Sequence, residues 1–121
     1  MCLCLKGVSM FENWNPKDTE LMTIYVYYDR PISYSCVDKD GNFFIAVFSD
    51  ETDNCETWLY LSVSYYELEL IAKNSDNLFA VWEKPENGTV IVSEICDGIT
   101  AIQVKDISSI NKTLLPIRTK G

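Results

Sequence analysis

The chain of 121 residues contains no histidine. That absence removes the usual general base at neutral pH, the Ser–His and Cys–His nucleophile pairs, and ordinary catalytic zinc sites, all of which need an imidazole. Catalysis by carboxylates, lysine or tyrosine stays open in principle, but no spacing gathers such groups into a set, and no enzymatic activity is expected. No apolar run approaches the roughly 18 residues that a membrane-spanning helix needs, so no membrane segment is expected either. Basic residues are also scarce: 10 Lys and Arg stand against 18 Asp and Glu, a net charge of −8. Direct nucleic-acid binding draws its affinity from neutralising phosphates and is therefore not expected. The five cysteines are odd in number and lack CxxC spacing, and the start MCLCLKGVSM has neither a basic n-region nor a long apolar stretch. The expectation from these features is reduced thiols in a cytoplasm.

What is present describes a folded domain. A hydrophobic content of 47% with 12% aromatics is too apolar for disorder, and the length suits one domain over 1–121, with an arm (1–22) ahead of a core (23–121). Trp14, in the polar turn of the arm, is expected to dock on the body. TIYVYY (23–28) alternates Ile24, Val26 and Tyr28 against Tyr25 and Tyr27, the period of a half-buried strand. Asp29-Arg30-Pro31 should interrupt it, because proline removes a ladder donor. A second strand follows over 32–37, then a tight turn at Lys39-Asp40-Gly41-Asn42. FFIAVFS (43–49) is apolar on both faces and reads as a central strand, with DETDNCE (50–56) as a hairpin tip and TWLYLSV (57–63) returning.

Ser64-Tyr65-Tyr66-Glu67 then fits a capping box and opens a helix over 65–73, with Tyr65, Leu68 and Ala72 inward, Ile71 beside them, and Tyr66 and Leu70 on another flank. Residues 76–84 read as a short helix capped by Asp76, a strand over 79–82 being the competing reading. Segments 89–96 and 99–105 flank Asp97-Gly98 as a second hairpin. A helical turn near 108–112 and the LLPIR segment, laid across the sheet, complete the chain. The sum is an α+β domain: a twisted antiparallel sheet of about five or six strands with one or two short helices on one face.

Chemistry is thin. Asp50, Glu51, Asp53 and Glu56 could in principle hold a hard cation, but a solvated hairpin tip explains them. Asp38-Lys39-Asp40-Gly41 starts like a calcium loop, yet its glycine comes two places too early. No metal or other cofactor is expected. Cys36 and Cys96 read as small core residues, and the carboxylates around Cys55 should weaken its thiol as a nucleophile. Seven tyrosines are many for a chain of this size. Tyr25, Tyr27, Tyr65 and Tyr66 are the least easily explained as core, and tyrosine is enriched where partners bind. The candidate binding residues are therefore these four, with Leu70 and the acidic Asp50, Glu51 and Asp53. They point to a non-enzymatic interaction module of the regulator, inhibitor or immunity type that binds a basic protein. The alternative is a small-ligand or nucleotide-binding domain using an aromatic-lined sheet face. If Tyr66 and Leu70 face outward, a homodimer would cover them.

The stretch YYDRPISYSC, DGNFFIAVFSDE and ETWLYLSVS, from Tyr27 to about Ile71, resembles a family of small bacterial proteins of uncharacterised function. Its pattern runs YDGP-hydrophobic-Cys, a DG or EG turn, an aliphatic strand, an acidic loop, ETWLY-V-P-V-S and a helix. Here Arg30 stands in place of the glycine and Ser62 in place of the proline. The resemblance implies a single fold unit from strand to helix, and it supplies no catalytic residue.

Overall fold

The computed structural model describes residues 14–28 and 30–110, and at positions 27, 28, 30 and 31 the backbone alone. Six strands form one antiparallel sheet in sequence order: β1 (Glu20–Tyr28), β2 (Arg30–Val37), β3 (Phe43–Glu51), β4 (Cys55–Val63), β5 (Thr89–Cys96) and β6 (Ile99–Asp106). Two helices, α1 (Tyr65–Lys73) and α2 (Asn77–Glu83), interrupt the meander between β4 and β5. The expected α+β architecture is thus the observed one, and 77–83 is helix rather than strand.

Alternation along the central strands builds two cores. Ile45, Leu59, Leu61, Val63 and Val90 point to one face, where Leu68, Ile71, Leu78, Val81 and Trp82 of the helices cover them. Phe44, Ala46, Trp58, Tyr60 and Ile91 point to the other and form a second cluster with Cys36. β3 is apolar on both sides because it serves both. Trp14 does dock: its ring meets Phe44 at 5.4 Å and Tyr60 at 5.0 Å, edge to face.

Local chemistry sets the turns. The Asp38 carboxylate accepts from the Asp40 and Asn42 amides, both at 2.9 Å, so the DKDG segment spends its first ligand on its own turn. Asp97 and Gly98 take φ of 52° and 83°, the left-handed pair that a two-residue hairpin turn requires. At the start of α1 the Ser64 hydroxyl accepts from the Glu67 amide at 3.1 Å, and Glu67 Oε1 accepts from the Ser64 amide at 2.8 Å. The capping box is therefore real. Glu67 goes further than a surface cap, for it is 3% exposed and its other oxygen accepts from the Glu86 amide at 3.1 Å. One carboxylate thereby ties the entry of α1 to the loop that feeds β5. Glu67→Ala should strand both amides and cost about 2–4 kcal/mol, measured as a shift in the urea midpoint at constant m.

Several expectations need correction. β1 starts at Glu20, so the arm ends before Leu21 and Met22, which join the sheet because Leu21 pairs with Cys36. The first strand does end at Tyr28, as expected, but β2 begins at Arg30 rather than at 32, with Pro31 at its second position opposite Tyr27, where a missing donor is tolerated. The acidic tip shrinks to 52–54, because the ladder continues through Asp50–Thr57 and Glu51–Glu56. Helix α1 turns Glu67, Leu68 and Ile71 inward and leaves Tyr65 and Ala72 exposed, a rotation set by the buried Glu67. Asp76 makes no side-chain capping bond to α2. Residues 1–13, with Cys2 and Cys4, and the LLPIR segment lie outside the described residues. Among the described residues no helix is long and apolar enough to cross a membrane.

Candidate functional site

Of the eight residues singled out above, the acidic three and the pair Tyr65 and Tyr66 fall on separate surfaces. Asp50, Glu51 and Asp53 lie at the end of β4 where Cys55 begins it, whereas Tyr65 and Tyr66 follow its last residue, Val63. A strand of this length puts the two groups about 27 Å apart. One contact cannot use both unless the partner is itself long.

At the acidic end the three-residue loop is closed by a Thr52 amide donating to the Cys55 carbonyl at 2.8 Å. Asp50 spends one oxygen on the Glu51 amide at 2.8 Å. The Asp97 amide donates to the Asn54 carbonyl at 3.2 Å, which joins this tip to the β5–β6 turn. Cys55 and Cys96 are directly opposite in the ladder and are bonded as a disulfide. The expectation of reduced thiols is wrong for this pair, as is the reading of Cys96 as a mere core residue. The register, invisible in either strand alone, brings the two sulfurs together.

At the other end, Tyr65 and Tyr66 are 59% and 60% exposed in the first turn of α1. A groove of about 210 Å³ separates that helix from β1 and is lined by Met22, Thr23, Tyr25, Tyr65, Leu68 and Glu69. The Tyr65 ring leans on Phe43 at 5.8 Å, so its position is held from below. Tyr25 is half-buried, packs against the helix-side core and lines the groove. Leu70 is half-buried beside α2, whose Asn77 side chain donates to the Leu70 carbonyl at 2.6 Å. The expected Tyr66–Leu70 pair is therefore only half exposed. Tyr27 lies in β1 opposite Pro31, and its side chain is outside the described residues.

The sequence reading missed the rest of this surface. Leu21, Met22, Ile24 and Val26 of β1 are each between 42% and 47% exposed. The alternation holds at the centre of β1, where Tyr25 turns inward and Ile24 and Val26 turn outward, and register shifts follow Leu21, Ile24 and Val26. The signal was there in composition, since β1 holds more aliphatic residues than one buried face requires. Among the described residues no strand pairs with the outer edge of β1.

The aromatic sheet face is occupied by its own side chains. Trp58 meets Tyr34 at 5.8 Å and Phe48 at 5.5 Å, and its indole donates to Glu56 at 3.1 Å. The Tyr34 and Tyr60 hydroxyls lie 3.4 Å apart. Burial raises the pKa of both phenols, and it pushes the Cys36 thiol up to about 12, which makes Cys36 an inert core residue.

A protein-family model described as "Family of unknown function (DUF6575)" matches residues 17–116. No curated protein and no solved structure matches the chain.

Proposed function

This chain belongs to that family of unknown function, and we propose that it is a non-enzymatic interaction module of the regulator, inhibitor or immunity type. The partner, a basic protein, is held against β1 and the first turn of α1. The observation that carries this reading is the run of exposed aliphatic side chains on an edge strand, flanked by two exposed tyrosines. An edge of that kind offers backbone donors and acceptors to an added strand, and the neighbouring side chains give it selectivity. The opposite edge, β6, carries Thr100, Gln103, Lys105 and Asp106 and is the more polar of the two. The net charge of −8 favours encounter with a positively charged partner and makes the association sensitive to salt.

The test is capture of a partner by the full chain at low salt, followed by affinity measurement on variants. Tyr65→Ala with Tyr66→Ala should weaken binding by at least about 30-fold, the effect of losing one hot spot. Unchanged affinity in that double variant would remove the surface from the proposal. A second copy of the chain is the competing occupant. Dimers in sedimentation at micromolar concentration, dispersed by Ile24→Lys, would assign the edge to self-association. The small-ligand reading has less support, because Phe44, Trp58 and Tyr60 are buried and stack on neighbouring rings. A cytoplasmic location belongs to the same proposal, and there the Cys55–Cys96 pair would meet a reducing thiol pool.

A further inference from the structure

The two cysteines at the acidic end have an alternative use for their sulfurs. Cys55 opens β4 and Cys96 closes β5, directly opposite in the ladder with their Cα atoms 4.2 Å apart. Glu94 lies two residues before Cys96, so strand alternation places it on the same side of the sheet. Its carboxylate and the two sulfurs lie within 4.8 Å of one another. We propose that Cys55, Glu94 and Cys96 form a redox-gated site for a soft divalent cation of the zinc type. When the sulfurs are bonded to each other the site is closed. When they are reduced, two thiolates and one carboxylate face a common point.

The chemistry balances with a dithiol as reductant. The S–S bond breaks as two electrons and two protons pass from the dithiol, which is itself oxidised to a disulfide. Each protein thiol then releases its proton to solvent as its sulfur bonds the ion. Zinc takes four ligands, with sulfur at about 2.3 Å, so two tetrahedral thiolates sit roughly 3.8 Å apart. Facing strand positions can supply that separation by side-chain rotation alone. Glu94 is exposed and provides the third ligand, leaving the fourth position to water.

The surroundings favour a cation as well. Glu51, Asp53 and Asp97 line the adjoining groove with Cys55, while Glu56 accepts from the Trp58 indole on the other face of the sheet. Deprotonating two thiols beside so many carboxylates is costly, and the charge of the ion offsets that cost. The Asp97–Asn54 hydrogen bond holds the two tips together independently of the disulfide. This site lies at the far end of β4 from the tyrosine surface, so the two proposals stand or fall separately.

The experiment is titration of the full chain with cobalt(II), after reduction with a phosphine and without oxygen, followed by zinc. Reduced wild type should bind a single cobalt ion, with a thiolate-to-cobalt charge-transfer band in the near ultraviolet that zinc bleaches. The oxidised protein should show no such band, and Cys55→Ser should lose it. Glu94→Gln, an exposed change that leaves the fold intact, should weaken cobalt binding at least roughly tenfold, the low end of what removing even an outer-shell carboxylate costs. A reduced wild type without the band would overturn the proposal. So would a band that persists unchanged in Cys55→Ser, since the thiolates would then lie elsewhere, or equal affinity in Glu94→Gln.

Discussion

Breaking the Cys55–Cys96 bridge should lower the stability of the isolated protein by about 4 kcal/mol. The bridge closes a loop with a sequence separation of 41, and a loop of that size removes about that much chain entropy from the unfolded state. The loop contains both helices and most of β4 and β5, so the constraint acts on the part of the chain with the longest excursion between paired strands. Cys96→Ser should move the thermal midpoint down by roughly 10–15 °C, read by circular dichroism against the oxidised wild type. The reduced wild type should match the variant. A midpoint that ignores reductant would mean that the bridge is not formed in solution. Zinc adds a further readout: at a hundredfold excess over its Kd, an ion that binds only the folded reduced chain restores about 2.7 kcal/mol. Cys96→Ser should gain nothing from it.

Trp82→Ala is the other change with a large expected effect, about 3–5 kcal/mol. Trp82 is 1% exposed and stands in α2, a helix of seven residues that is too short to persist without tertiary contacts. Its ring is the largest member of the buried cluster that joins Ile71, Leu78 and Val81 of the helices to Leu61 and Val90 of the sheet. Truncation therefore removes the largest contact that seats the helix and leaves a cavity that rigid β-strands cannot close. The indole nitrogen of Trp82 is buried and has no hydrogen-bond partner among the described residues. Trp82→Phe loses volume but no satisfied polar group, so it should cost far less, roughly 1–2 kcal/mol. Equal losses for the two variants would show that the ring volume is not what holds α2.

Stretches whose signals are local read correctly from the chain. Ser64 and Glu67 are three residues apart, and the reciprocal bonds between them were predictable because both partners lie within one turn. The Asp97-Gly98 turn and the two-faced apolar run of β3 are legible for the same reason. Helix α1 shows where such reading stops. Its limits were correct, but its rotation depends on Glu67 reaching the Glu86 amide, nineteen residues away. Tyr65 was therefore placed on the inner face of the helix when it is exposed, although its residue type alone had already marked it as a candidate for binding. The alternation of Ile24 and Val26 against Tyr25 was legible in β1, but which of its two faces meets the helix was decided by its pairing with β2.

The amino-acid order alone determined most of the strands, the first helix and the turns, because capping, alternation and left-handed turn positions are settled by neighbours within a few residues, whereas 77–83 became helix only with the packing of Trp82. It also excluded imidazole chemistry outright. The tertiary structure alone decided that Cys55 faces Cys96, that Glu94 joins them, and that Tyr65 and Tyr66 lie at the opposite end of β4 from the acidic tip. Each of those facts depends on strand register between distant segments, and register is chosen by the packing of both sheet faces together.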